Sequence, residues 1–454
     1  MKWIFPISIS ALFWGIVGLL RYTQEKLNKK APFRRRKLAS LIKQVAICVP
    51  AHNEELVIKK TLNRLRKLVS TKQIYVVSDG SSDQTALIAR STGCNVLELP
   101  RGVGKAAALE ALMKHFRLLT RIKRRYKFTP SRLNKGKNSI NGEIEILSFP
   151  KISLLDIGRP VSSYKFILIA DADTIFERNF LREALPLFVD KNVAVVTAYA
   201  KTKWYKGLKF NQKMYIAAYR TRLWRLLQLV FTYGQTWKYT NVLPVIPGYA
   251  SLYRVSILRQ LKIDIPGLAI EDFNMSFQLH KKRLGIIAHH SNLFATTQDP
   301  ATIRDYWKQL RRWNIGFFQT AKYWKIWPSF FWISLGFFII EAIINGFAFL
   351  FIPLLAFFLS SLLIPTELIP WAASVGTLIE KYYITLIDLF VVVFLADYLL
   401  SLIIALKDKK HSLAIYGLGF IFIRFIDSMI LFTTLPVAII KKSTGIWNSP
   451  ARIK

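Results

Sequence analysis

Two carboxylates separated by one residue follow directly after an apolar run. The run Phe166–Ala170 reads FILIA, and Asp171 and Asp173 come immediately after it. In a loop, their oxygens can converge on one hard cation, because Mg²⁺ binds through one or two carboxylates together with substrate phosphates. A turn that caps the next helix is the alternative for an isolated pair. Because Asp171 and Asp173 stand at the end of a predicted strand, we expect them to hold a divalent cation, Mg²⁺ or Mn²⁺.

Polar clusters also follow the two earlier predicted strands. Asn53 and Glu54 come after Val45–Val49, and Asp79 comes after Ile74–Val77. Because the carboxyl ends of parallel strands meet at one edge of a sheet, these clusters would surround one crevice suited to a base, a ribose and phosphates. Each cluster alone could be a turn or a helix cap. Their repetition at equivalent places indicates a binding site.

Three charged residues stand at predicted helix starts. Lys105 in GVGK has Ala106 after it, and a Walker A site needs Ser or Thr there, so an ATPase is excluded. Lys105 is then either a contact for an anionic group or a surface lysine. Glu271 and Asp272 open an amphipathic helix, where carboxylates commonly interact with the helix dipole. As a general base, one of them would have to reach an acceptor hydroxyl.

A segment rich in tryptophan and basic residues carries QLRRW at Gln309–Trp313. Its pattern predicts an amphipathic helix at a membrane surface over residues 301–327. That location leaves room for a second role, since Arg312 can pair with a diphosphate and Trp313 can offer a flat ring to a sugar.

Short β-branched runs alternate with helical segments from Gln44 onward. This alternation predicts an α/β domain with a parallel sheet over residues 44–300. A basic stretch without acidic residues, Lys114–Lys137, leads into a region broken by Pro, Gly and Asn. Residues 127–164 are therefore predicted to be an insertion in that domain.

Apolar residues are concentrated at the two ends of the 454-residue chain and make up 52% of it. Residues 1–21 predict a retained N-terminal anchor, and the basic residues after it indicate a cytosolic catalytic domain. Residues 328–441 predict three or four transmembrane helices, and residues 442–454 a basic tail. We therefore expect a multi-pass protein of the cell (inner) membrane.

The net charge of +38 first suggests nucleic acid as a partner. The sequence lacks RNP-like aromatic strands, zinc-finger spacings and helix-turn-helix signals, so we expect no nucleic-acid partner and instead an attraction to anionic lipids. Cys48 and Cys94 form no CxxC pair and are predicted to be buried thiols. Arg424 and Asp427, one helical turn apart in an apolar segment, either line a channel or form an ion pair.

Together these motifs resemble the membrane-embedded branch of the family 2 glycosyltransferases, which includes cellulose, chitin, hyaluronan and poly-N-acetylglucosamine synthases. The resemblance extends over about residues 44–327. It is carried by PAHNEE, VVSDGSSDQT, GKAAALEAL, ADADT, IED and Q-x-x-R-W.

The resemblance implies an α/β GT-A type, Rossmann-like fold with transmembrane helices at both ends, and an inverting reaction. It implies that Asp79 contacts the nucleoside, that Asp171 and Asp173 hold the diphosphate and a metal, and that Asp272 is the base.

The same resemblance assigns the acceptor end of the site. Gln309, Arg312 and Trp313 would bind the diphosphate and the acceptor, and Gly248 and Tyr249 in PGYASLYR match the family's acceptor-proximal turn. We expect transfer from a UDP-sugar, with UDP-N-acetylglucosamine favoured, to a growing polysaccharide. The alternative is a single transfer to a lipid acceptor. A basic membrane scaffold without activity is a third hypothesis, against which the strand-end carboxylates argue. The need for accessory subunits stays open.

Overall fold

A seven-stranded sheet forms the centre of the described structure. The computed structural model describes residues 9–27, 35–119, 164–204, 210–229, 239–268, 270–290, 292–351, 391 and 394–440. Its strands are β1 Val45–Ala51, β2 Ile74–Asp79, β3 Asn95–Leu99, β4 Phe166–Ala170, β5 Ile175–Phe176, β6 Val193–Thr197, β7 Tyr199–Lys201, β8 Ala250–Arg254, β9 Ile286–Ala288 and β10 Phe294–Thr296. The large sheet has the order β3-β2-β1-β4-β8-β6-β9, and β5-β10-β7 form a smaller sheet.

Helices cover both faces of the large sheet and continue beyond it. They are α1 Ile9–Leu27, α2 Arg35–Ile42, α3 Ile58–Leu65, α4 Thr85–Ser91, α5 Lys105–His115, α6 Phe180–Ala184, α7 Gln212–Leu229, α8 Val255–Leu258, α9 Glu271–Lys281, α10 Ile303–Trp324, α11 Phe330–Leu350, α12 (residues 394–407), α13 Ser412–Gly417 and α14 Phe420–Ile440.

Strand β1 is buried along its whole length because helices pack on both of its faces. Val45, Ile47 and Val49 join the core under α3 and α4, while Ala46 and Cys48 join the core under α5 and α9. The side chains of a strand alternate between faces, so a strand buried on both sides is a continuous apolar run. The predicted burial of the Cys48 thiol is confirmed, and Cys94 is partly buried.

The sheet is mostly parallel, but β8 runs against its neighbours β4 and β6. The predicted parallel pairing is thus present in the rest of the large sheet and absent at β8. Ala250, the first residue of β8, lies opposite Ala170, the last residue of β4. The start of β8 thus lies at the same edge as the carboxyl ends of the parallel strands. The described chain thus has the expected α/β fold, with this one reversal in its large sheet.

Residues 193–201 form two short strands that belong to different sheets. Ala198 donates its N–H to Ala250 O at 3.1 Å, and Tyr199 donates its N–H to Leu293 O at 2.8 Å. The chain therefore leaves the large sheet after β6 and enters the smaller sheet as β7. The change of partner between adjacent residues explains the break.

Two helices of the described part, α11 and α14, are long and apolar enough to cross a bilayer. They lie in the predicted transmembrane region of residues 328–441, of which residues 352–390, 392–393 and 441 are outside the described residues. The number of crossings therefore stays open. The N-terminal anchor over residues 1–21 corresponds in part to α1, whose Trp14 ring contacts Phe330 at the start of α11. The basic tail and nearly all of the predicted insertion lie outside the described residues.

Candidate active site

Lys105, the first residue of α5, lies at the centre of a carboxylate cluster. Its Nζ is 2.9 Å from Asp171 Oδ1 and 2.8 Å from Glu271 Oε1. Burial alone lowers the pKa of Lys105, but Asp171, Glu271 and Asp272 together outweigh it and raise that pKa well above the value of a free lysine. The ammonium group therefore stays charged and links the loop after β4 to the start of α9.

Asp272 is held by one oxygen only. Its Oδ2 accepts the backbone N–H of Gly248 at 2.8 Å, while its buried Oδ1 accepts no hydrogen bond from a described residue. Burial and the charge of Glu271 raise the pKa of Asp272 well above the usual value, against the opposing effects of Lys105 and the Gly248 N–H. A carboxylate that is fixed by one oxygen, unbonded at the other and more basic than usual is suited to accept a proton.

The turn before β8 brings Gly248 and Tyr249 to this cluster. Asp171 donates its N–H to Tyr249 O at 3.3 Å, and the Tyr249 hydroxyl donates to Ala198 O at 2.8 Å. A Cβ on Gly248 would overlap Asp272 Oδ1 and lie 2.8 Å from Lys105 Nζ. Only glycine leaves room for the carboxylate and the ammonium group at this point. The resemblance located this turn, and the structure brings it directly against Asp272.

Asp79 holds the loop that begins α5. Its Oδ1 accepts the N–H of Val103 at 2.8 Å, its Oδ2 accepts the N–H of Gly104 at 2.9 Å, and the residue is buried. Gly104 has φ +95°, a backbone conformation that favours glycine. Asp79 therefore sets the position from which Lys105 reaches the cluster. Its contact with a nucleoside stays a prediction.

Asn53 and Glu54 join the loop after β1 to the loop after β2. Asn53 Oδ1 accepts the N–H of Ser82 at 2.9 Å, and the Glu54 N–H donates to Thr85 Oγ1 at 2.8 Å. The Glu54 side chain is buried. His52 Nδ1 lies 2.6 Å from the carbonyl oxygen of Asp79 and adds a third link. The predicted convergence of the strand-end clusters is thus present, and any ligand contact of these residues stays a prediction.

The two aspartates of ADADT are partly accessible at this edge. The Asp171 side chain is 33% exposed, and Asp173 is also partly exposed. The described residues contain no group of three or more His, Cys, Asp or Glu side chains arranged to hold a metal ion. Two carboxylates alone would fit a hard cation only if substrate phosphates and water supplied its other ligands.

Asp299 is a carboxylate near Asp173 that the sequence analysis did not select. Burial and the charge of Asp173 raise the pKa of Asp299 to about 6, against the opposing effects of Arg220 and of the nearby Thr202 hydroxyl. It stands in a loop before Pro300 and belongs to none of the quoted motifs. Its electrostatic interactions connect the ADADT end of the site to Arg220.

Gln309 and Trp313 meet around Arg220 of α7. Arg220 Nη2 donates to Gln309 Oε1 at 2.7 Å, and the guanidinium carbon lies 4.8 Å from the centre of a Trp313 ring. Arg312, by contrast, is partly exposed and has no carboxylate partner among the described residues. The structure thus joins two of the three predicted residues of the motif. Arg220 was missed because α7 carries several arginines and no recognisable motif.

The helix α10 that carries this motif packs directly on the start of α9. A Cβ on Gly316 would lie 2.7 Å from the side chain of Ile270, the residue before Glu271. The rings of Phe273 and Phe317 are 5.5 Å apart, and Trp324 Nε1 donates to Asn274 Oδ1 at 3.1 Å. The motif helix and the candidate base are therefore parts of one packed unit.

Two family models match this chain along most of the described catalytic domain. Residues 166–404 match the family described as Glycosyl transferase family group 2, and residues 46–117 match Glycosyl transferase family 2. The first match covers more than half of the chain. The chain belongs to Glycosyl transferase family group 2.

Relatives of this family member match it over limited lengths. Over 301 residues, 64% of this chain, it is 25% identical to the probable glycosyltransferase YdaM of Bacillus subtilis. Over 56 residues, 12% of this chain, it is 34% identical to protein RfbJ of Shigella flexneri. The chain spans 58% and 43% of the lengths of these two relatives.

A solved structure similar to this glycosyltransferase family member is the mannosyltransferase PcManGT from Pyrobaculum calidifontis, in complex with GDP-Man and Mn²⁺. The two chains are 16% identical with a TM-score of 0.46, and the match covers 87% of this chain and 97% of the mannosyltransferase.

Proposed function

We propose that this chain is an inverting glycosyltransferase in which Asp272 is the general base. The observation that carries the proposal is the state of the Asp272 carboxylate. Oδ2 is fixed by the Gly248 N–H, and the buried Oδ1 is unbonded among the described residues. Because its pKa is raised, Asp272 is a stronger base toward a hydroxyl proton than an ordinary carboxylate is.

In the proposed reaction, the acceptor hydroxyl attacks the anomeric carbon of the donor in a single displacement. Asp272 Oδ1 takes the hydroxyl proton as the acceptor oxygen forms its bond to that carbon. The bond from the anomeric carbon to the phosphate oxygen breaks, and the nucleoside diphosphate leaves with the bonding pair. Attack from the opposite face inverts the configuration at the carbon.

The donor diphosphate is proposed to bind beside Asp171 and Asp173. A divalent cation, Mg²⁺ or Mn²⁺, held by these two aspartates would neutralise charge on the leaving diphosphate. Lys105 keeps Asp171 and Glu271 in position through its two ion pairs. The carboxylates of this crevice repel an anionic donor, so a bound cation is also needed for donor affinity.

The donor is proposed to be a UDP-sugar, with UDP-N-acetylglucosamine favoured, and the acceptor a growing polysaccharide at the cell membrane. The support is the resemblance of the motifs, together with the two apolar helices α11 and α14 and the large positive charge. Anionic lipids and an anionic donor are both attracted by such a chain. The catalytic domain is proposed to face the cytosol, where nucleotide sugars are made.

Transfer of one sugar to a lipid acceptor is the second candidate. It is favoured by the hydrogen bond from Tyr306 of α10 to Asp427 of α14, with a length of 2.6 Å. This bond joins α10, the helix that carries Gln309–Trp313, to the apolar helix α14. A lipid-linked acceptor could lie along α14 while its head group reaches the crevice.

The test is UDP release by membranes containing the full chain, screened across several UDP-sugars, with sizing of the labelled product. Long polymer supports the first candidate, and short organic-extractable glycolipid supports the second. Asp272→Asn is the matched variant, since it keeps the shape of the side chain and removes the base. It should still bind UDP and form no product. Wild-type turnover in this variant would exclude Asp272 as the base.

A further inference from the structure

Arg220 is a buried cation in the middle of α7. Only 1% of its surface is exposed, and it is among the largest fully buried side chains of the described structure. A buried guanidinium is unfavourable unless neighbouring groups compensate for the lost water. The groups around Arg220 must therefore offset the cost of burying its charge.

One amide oxygen and three aromatic rings contact Arg220, and the carboxylates of Asp299 and Asp427 attract its charge. Nη2 donates to Gln309 Oε1 at 2.7 Å. The guanidinium carbon lies 4.8 Å from the Trp313 ring, 5.0 Å from Tyr306 and 5.4 Å from Trp224. Aromatic faces attract a cation, and this attraction strengthens when water is excluded.

Two of these partners belong to the segment Gln309–Trp313, which is proposed to bind the acceptor. Gln309 and Trp313 are four residues apart on α10, so their side chains lie on one face of the helix. Arg220 contacts both and so fixes the amide and the ring relative to each other. The Nε of Arg220 donates no hydrogen bond to a described residue. Gln309, the rings and the charges of Asp299 and Asp427 thus compensate the buried guanidinium together.

Asp427 of α14 holds one of these rings, that of Tyr306, through a hydrogen bond. Its Oδ1 accepts from the Tyr306 hydroxyl and its Oδ2 from the Tyr219 hydroxyl, both at 2.6 Å. Tyr306 thereby contacts Asp427 with its hydroxyl and Arg220 with its ring. The three helices α7, α10 and α14 meet at these side chains.

We propose that Arg220 is the positioning residue for the acceptor end of the site, with Tyr306 and Asp427 fixing it in place. The proposal rests on the proposed glycosyl transfer, because it concerns the acceptor of that reaction. Arg220 acts through Gln309 and Trp313 and takes no part in proton transfer. Lys105 and Asp171, which build the donor end, pair with each other and with Glu271 rather than with Arg220.

The experiment compares transfer with donor hydrolysis in full-length wild type and in Arg220→Met. UDP-N-acetylglucosamine is the donor, and free N-acetylglucosamine or water is the acceptor. We expect Arg220→Met to raise the KM for the sugar acceptor at least tenfold and to increase the ratio of hydrolysis to transfer. The KM for the donor should change less than twofold. Arg220→Lys, which keeps the charge, should recover part of the transfer, and Tyr306→Phe should give a smaller change in the same direction.

Arg222→Met is the matched control. Arg222 lies on the same helix, its side chain is 3% exposed, and it pairs with Asp397 at 2.5 Å on α12. Its loss removes a comparable buried cation away from the motif. Arg222→Met should leave the ratio of hydrolysis to transfer at the wild-type value. An equal change of this ratio in both variants, or parallel losses of hydrolysis and transfer in Arg220→Met, would overturn the proposal.

Hydrogen exchange separates this inference from the proposed function. Amide exchange in residues 306–313 should accelerate in Arg220→Met and remain unchanged in Arg222→Met, and residues 101–108 should be unaffected by both. Unchanged exchange at 306–313 in Arg220→Met would overturn the positioning role without any assay of activity. A wild-type chain that releases no nucleotide from any UDP-sugar would refute the proposed function while this comparison still decides the role of Arg220.

Discussion

Gly248 donates its N–H to one oxygen of Asp272, and its α-carbon faces the other oxygen of the same carboxylate. The backbone of the turn before β8 thus both orients the candidate base and leaves space beside it. This relationship makes the side chain at position 248 a sensitive probe of the site.

Gly248→Ala should reduce turnover on the order of 100-fold, because a displacement of about 1 Å at a reacting group has an effect of that size. The added Cβ would overlap Asp272 Oδ1 and crowd Lys105 Nζ. Steady-state nucleotide release measures the loss. Gly336→Ala is the control, since a Cβ on Gly336 has no atom within 4 Å among the described residues. Equal turnover in the two variants would contradict the contact.

Lys105→Met should destabilise the fold by about 3 kcal/mol, because it leaves the buried carboxylate of Glu271 without its cation. Adding Glu271→Gln should recover most of this free energy of unfolding, since the remaining buried group is then neutral. Denaturant unfolding of the wild type, both single variants and the double variant measures the coupling. Additive effects would mean that the 2.8 Å pair contributes nothing to stability.

Asp79→Ala should loosen the loop that begins α5 and raise the KM for the donor. The change removes the acceptor of two backbone N–H groups, those of Val103 and Gly104, which are then left unpaired. A loss of about 2 kcal/mol in the free energy of unfolding is expected. Asp79→Asn retains one acceptor oxygen and should fall between wild type and alanine. Donor titration and thermal unfolding check the order of the three proteins.

Stability should decrease as the pH falls below about 6.5, because the buried His289 and the partly buried His280 must remain neutral in the folded chain. Burial lowers the pKa of His280 to about 4, although its bond to Leu243 O opposes the shift. Burial and Arg21 lower the pKa of His289 to about 3. The unfolded chain binds these protons from about pH 6.5 downward. The contribution of the two neutral histidines to the free energy of unfolding is therefore full above that pH, and it is lost as the pH falls toward their pKa values in the folded chain.

Each of these protons contributes a slope of about 1.4 kcal/mol per pH unit at most. His289→Phe preserves the stacking on Tyr199 and removes the titrating group. Its unfolding midpoint should therefore depend less steeply on pH between 6 and 4 than that of wild type. Parallel profiles for the two proteins would refute the assignment of this slope to His289.

The strand-end aspartates could be predicted because apolar strands and the polar residues after them are local patterns. Asp171 and Asp79 stand where those patterns placed them, and α10, Ile303–Trp324, lies within the predicted residues 301–327. The direction of β8 is not local, because it depends on pairing between residues 80 positions apart. The prediction of a parallel sheet therefore could not include the reversed pairing of β8.

The roles of Lys105 and Arg220 could not be obtained from spacing. Lys105 looked equally like a surface lysine until the fold brought Asp171 and Glu271 to it. Arg220 is one of several arginines on α7, and only the packing of α10 against α7 distinguishes it. A buried cation is recognised by its partners, which the sequence does not identify.

The hydroxyls of Tyr219 and Tyr306 converge on a single carboxylate that belongs to the last described helix. A polypeptide cut before α13 to obtain a water-soluble fragment would lose that carboxylate, although every quoted motif would remain. Such a fragment would keep Lys105 and Asp171 of the proposed donor end, while the proposed acceptor end would lose a residue that holds Tyr306 in place. We therefore expect a fragment that keeps both ends of the proposed site to extend through residue 427, well past the last recognisable motif.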